Sequence, residues 1–71
     1  MPFLNSSAIS QAEYDGDSRR MWITFRSGKT YTFCDVPWDV YEGLLRARSA
    51  GRYYNARIEG RYQGVVSADP N

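Results

Sequence analysis

Alternation of apolar and polar residues governs the first half of the chain and gives way to a helical period in the second. Positions 20–26 alternate without a break: Met21, Ile23 and Phe25 fall on one side, Arg20, Trp22, Thr24 and Arg26 on the other. A period of two marks a half-buried strand, whose successive side chains point to opposite faces. Positions 29–34 repeat it, with Tyr31 and Phe33 opposite Thr30, Thr32 and Cys34. Positions 7–14 hold strand-compatible residues in imperfect alternation and are expected to form a further strand. Asp15-Gly16-Asp17-Ser18 and Ser27-Gly28 separate the three segments. Asp-Gly is a strong hairpin turn because both residues tolerate positive φ. Short turns join antiparallel neighbours, so the segments predict a meander.

At Val36-Pro37-Trp38-Asp39 the period changes. Proline is favoured in a helix's first turn, where its missing N–H would have no partner anyway. Asp39 and Glu42 sit near the positive end of the dipole, Arg46 and Arg48 near the negative end. Val40, Tyr41, Leu44, Leu45 and Ala47 form an apolar stripe, which predicts a helix over 37–49. Gly51 is placed to end it in the left-handed conformation. The helix should cover the Met21/Ile23/Phe25 face, since neither surface is stable in water. Met21, Ile23, Phe25, Leu44 and Leu45 are the expected core, with Tyr31, Phe33 and Tyr41 directed into it. Tyr53, Tyr54, Asn55, Ile58, Gly60 and Tyr62 read as a short C-terminal arm or a fourth strand. The fold class is therefore α+β: a three- or four-stranded antiparallel meander with one main helix on one face. Residues 1–66 form a single domain and residues 67–71 a flexible tail.

Composition narrows the class further. A chain of 71 residues has room for one domain, and so small a domain needs large apolar groups to build a core. Two Trp, six Tyr and three Phe supply them. A single cysteine excludes an internal disulfide, which suits a reducing compartment. The first residues have no basic start and no long apolar run, so no signal peptide is read there. No stretch of ~18 apolar residues could span a membrane. A cytoplasmic protein is expected, which also empties the Asn5-Ser6-Ser7 glycosylation pattern of meaning.

The order of several short motifs resembles the KTSC domain family. Its pattern is matched by Ser6-Ser7, by Phe25 before Gly28, and by the aromatic pair Tyr31-Thr32-Phe33, which is usually Tyr-x-Tyr. Val36-Pro37, Tyr41, Leu44-Leu45 and Ser49-x-Gly51-x-Tyr53-x-Asn55 continue the match to about Ile58 and Tyr62. Members occur at the C-terminus of some lysyl-tRNA synthetases and as stand-alone proteins, some of them in phages. The resemblance implies a compact α+β fold and a binding role near RNA or its machinery, and it carries over no catalytic residues. The chain is also similar to small phage-encoded regulators that bind bacterial RNA polymerase.

Candidate chemistry is sparse. There is no histidine, the residue most often used for proton transfer near neutral pH. One cysteine without histidine builds no zinc site, and Asp15-Gly16-Asp17 lacks the other ligands of a calcium loop. No enzyme, metal or cofactor is expected. Cys34, on a strand the sheet should partly cover, reads as an inert structural thiol.

Charge distribution points elsewhere. The formal net charge is +1, yet residues 1–45 carry four basic and six acidic groups, whereas residues 46–62 carry five arginines against Glu59 alone. Arg46, Arg48, Arg52, Arg57 and Arg61 are interleaved with Tyr53, Tyr54 and Tyr62. Arginine grips carboxylate or phosphate bidentately, and arginine and tyrosine are frequent hot-spot residues. Against this stands the bland reading, in which these arginines complement a helix end or keep the domain soluble. Trp22 is the other candidate, either as a binding platform on the open sheet face or as cross-strand packing. Two function classes follow. The first is a regulator of transcription that binds a protein partner, bacterial RNA polymerase, through Arg46, Arg48, Arg52, Tyr53, Tyr54, Arg57, Arg61 and Trp22. The alternative is a direct RNA-binding module of the translation machinery, against which the low net charge counts.

Overall fold

The computed structural model describes residues 8–66. Strands β1 (Ile9–Asp15), β2 (Arg20–Phe25) and β3 (Thr30–Phe33) lead into helices α1 (Trp38–Arg46) and α2 (Ala50–Arg57) and a last strand, β4 (Gly64–Val66). The four strands form one antiparallel sheet in the order β1-β2-β3-β4. The meander and its helix are as the periodicity requires. The fourth strand lies at 64–66, beyond the Tyr53–Tyr62 region.

Register explains which side of the sheet is dry. Met21 faces Phe33 and Ile23 faces Tyr31 across β2 and β3; Ala12 and Tyr14 face Ile23 and Met21 across β1 and β2. This inner face meets Tyr41 and Leu44 of α1, Ala50 of α2, and Val36 and Ile58 beside the helices. Leu44, Met21 and Ile23 are wholly buried, as expected. Phe25 and Leu45 are half-buried instead, because they lie at the margin of the helical cover. Phe33 is buried and Tyr31 packs at the border of the core.

The imperfect alternation of the first strand has a structural cause. The register shifts between Ile9 and Gln11, so Ser10 is an extra residue that keeps Ile9 on the inner face with Ala12 and Tyr14. Its hydroxyl donates to the Thr24 carbonyl at 3.2 Å.

Turn geometry departs from expectation at the first hairpin. The left-handed residue there is Arg19 at φ 59°, not Asp15 or Gly16. The Asp15 carboxylate instead caps the turn, accepting from the Ser18 hydroxyl at 2.8 Å and the Asp17 N–H at 3.3 Å.

The helical region corrects the single helix over 37–49. Pro37 is the residue before α1, with extended backbone, and α1 ends at Arg46 because Ala47 is extended again. Ser49 then starts α2, its hydroxyl accepting the Arg52 N–H at 3.2 Å. Gly51 therefore does not stop a helix; it lies in the first turn of the second one. The left-handed glycine after that helix is Gly60, at φ 81°. Cys34 is also corrected: it lies just past β3 and is exposed, followed by Asp35 at φ 57°. No described helix is long and apolar enough to cross a membrane. The tail at 67–71 and the segment up to Ser7 lie outside the described residues.

Candidate functional site

The second helix decides where the arginines stand. Arg46 ends α1 and pairs with Glu42 one turn earlier at 3.7 Å. Such an exposed pair is worth about 0.3–0.5 kcal/mol. Arg48 occupies the linker, Arg52 the first turn of α2, Arg57 its last position and Arg61 the turn beyond. All five are exposed. Arg52 and Arg57 are five residues apart, about 7.5 Å along the axis and about 140° around it. They border one helix without sharing a stripe.

The tyrosines of the stretch are anchors more than open surface. Tyr53 is half-buried and donates its hydroxyl to the Val40 carbonyl of α1 at 3.0 Å. Burial first of all raises its pKa. The Arg57 guanidinium lies over its ring, 5.9 Å from the centroid, a cation–π arrangement on a ring whose hydroxyl is tied to α1. Tyr54 turns inward, packing edge-on against Phe25 at 5.2 Å and Phe33 at 6.1 Å. The structure thus joins Tyr53 to Arg57 and turns Tyr54 away from the arginines, toward Phe25 and the hairpin end of the sheet.

Trp22 stands apart from the arginines, on the uncovered face of the sheet. Glu13, Trp22, Thr32 and Val65 form one cross-strand row, and Thr24 and Thr30 share a hydroxyl hydrogen bond at 2.9 Å beside it. The indole is half-buried at a depression of about 280 Å³ that Gln11 and Glu13 also border. The carboxylate beside it makes this face less basic than Arg20 and Arg26 alone suggest.

Two aromatic features escaped the sequence reading. Trp38, 55% exposed, leans on Tyr14 at 5.6 Å and Tyr41 at 5.4 Å. The Tyr14 hydroxyl holds that end by donating to Val36 O at 2.6 Å. At the other end of the sheet, Phe25, Tyr31 and Tyr54 wall an open groove of about 540 Å³. An isolated Trp beside an acidic residue at a helix start was the available signal for the first; the second needs the β2–β3 hairpin and α2 together.

The KTSC domain family model matches residues 5–62, more than half of the chain. The chain belongs to the KTSC domain family. A crystal structure of a KTSC domain protein from Yersinia pestis is 30% identical and superposes with a TM-score of 0.90, covering 94% of both chains. This KTSC chain is also 37% identical to a Tsukamurella paurometabola protein over 89% of its own length and 94% of the relative's. A Stutzerimonas stutzeri protein is 36% identical over 73% of each chain.

Proposed function

We propose that this KTSC domain is a non-catalytic binding module that regulates transcription by docking on a protein partner, bacterial RNA polymerase. The observation that carries the reading is the Arg57–Tyr53 pair: a guanidinium laid on a ring whose hydroxyl is tied to α1. A charge held in place loses less entropy on binding a carboxylate than a free one does. Arg48, Arg52 and Arg61 are exposed on the same helix and the segments flanking it, with no carboxylate at ion-pair distance among the described residues. The resemblance to phage-encoded regulators makes RNA polymerase the partner to test. Binding would act by blocking or rearranging contacts on the enzyme.

The same arginines could serve single-stranded RNA, and salt separates the two readings. Purified RNA polymerase and a labelled single-stranded RNA are each titrated at 50 and 200 mM salt. Saturable, nuclease-insensitive binding to the polymerase supports the proposal. RNA binding that falls steeply with salt, without polymerase binding, moves the function to RNA.

A further inference from the structure

The groove at the β2–β3 hairpin end has an unusual inventory of groups. Phe25 stands at 82° to Tyr31 and at 82° to Tyr54, with centroids 5.4 and 5.2 Å away. Phe25 therefore meets each tyrosine edge-to-face, not in a flat stack. The two tyrosines of the groove also differ from three others in their hydroxyls. Tyr14, Tyr41 and Tyr53 each direct theirs to a backbone carbonyl. Those of Tyr31 and Tyr54 have no hydrogen-bond partner among the described residues.

Charge at the rim is also arranged. Glu59 borders the groove from the end of α2 and Lys29 from the hairpin, with the Ser27 hydroxyl nearby. The two charged groups are not within ion-pair distance of each other. Burial raises the pKa of Tyr54, and the Glu59 carboxylate and Tyr31 add to the shift. Glu59 is thus close enough to act on the Tyr54 ring.

Ring faces are electron-rich and attract cations, most strongly where water is partly excluded. We infer that the groove bounded by Phe25, Tyr31, Tyr54 and Glu59 is a recognition site for a cationic side chain, arginine or lysine, presented by a partner peptide. The ring faces hold the cation, Glu59 neutralises it, and the unengaged phenol oxygens accept its N–H groups. Lys29 then meets the backbone carbonyls on either side of the bound residue, which favours a peptide over a bare cation. Tyr54, expected from the sequence beside the arginines, faces the groove instead, and the other groups lie outside the arginine surface, so the inference stands whether or not that surface binds polymerase.

The probe is N-acetyl-arginine methylamide, titrated while the ring proton resonances of Tyr31 and Tyr54 are followed by NMR. N-acetyl-glutamate methylamide is the anionic control. Arginine should shift both tyrosines saturably, and the glutamate analogue should not. Glu59→Gln, an exposed change that leaves the melting curve in place, should weaken arginine binding about tenfold. Absence of shifts with arginine, equal shifts with glutamate, or unchanged binding by E59Q would each overturn the inference.

Discussion

The ring of Tyr53 lies directly over Gly43, so close that a Cβ at position 43 would collide with the Tyr53 hydroxyl and ring edge. Glycine in a helix interior costs roughly 0.5–1 kcal/mol relative to alanine. Here it lets α2 approach α1 and lets Tyr53 reach the Val40 carbonyl. One small residue thus positions the ring on which Arg57 rests.

Gly43→Ala should displace Tyr53 despite the gain in helix propensity. The expected net loss is about 1–2 kcal/mol, from overpacking and the lost hydrogen bond. At about 4–8 °C per kcal/mol for a domain this small, thermal denaturation will resolve it. An unchanged midpoint would mean that the ring slides aside at no cost.

Leu44, on the inner face of the same helix α1, is wholly buried. Leu44→Ala should cost about 2–5 kcal/mol, measured by denaturant midpoints. A parent-like curve would contradict the assigned inner face of α1.

The first hairpin carries a pH-dependent turn. Asp15 is held below the usual carboxylate value, chiefly by the Ser18 hydroxyl and then by the Asp17 N–H. A depressed acid contributes stability above its unfolded pKa and loses it as pH falls through the folded value. NMR titration of Asp15 should place its midpoint below the model-peptide value of 3.8. Ser18→Ala should move that midpoint up.

At high pH the sign reverses. Tyr41, Tyr53 and Tyr54 are all raised above the ordinary value of 10.0, each chiefly by burial. Their neutral forms are favoured by folding, so stability should be full below the unfolded pKa and decline as pH rises past it. Denaturant midpoints taken from pH 8 upward should hold and then fall. A flat profile into the strongly alkaline range would contradict the burial of these rings.

How legible these features were in sequence depended on the purity of the local period. Strands β2 and β3 alternate without interruption, and α1 carries an unbroken apolar stripe, so both are plain in the sequence. Strand β1 was blurred by one bulged residue, Ser10, which resets the alternation. Helix α2 was hidden because Gly51 imitates a stop, and its inward residues are few. Its start was nevertheless signalled by Ser49, a good N-cap residue. The site was half legible: composition located the arginines, but only the second helix separates the Tyr53–Arg57 pair from the inward-facing Tyr54. Trp38 and the Phe25 groove depend on contacts between distant elements, which no local pattern encodes.

The most direct test of the account is the affinity of RNA polymerase for Arg52→Ala/Arg57→Ala, with Trp22→Ala as the contrast and thermal midpoints read in parallel. Exposed charges contribute little to stability, so the double variant should melt close to the parent. Its binding should weaken by about 30-fold, the equivalent of ~2 kcal/mol for hot-spot arginines, while Trp22→Ala binds as the parent does. Full binding by the arginine variant, with binding lost by a folded Trp22→Ala, would contradict the account and place the docking surface on the open sheet face.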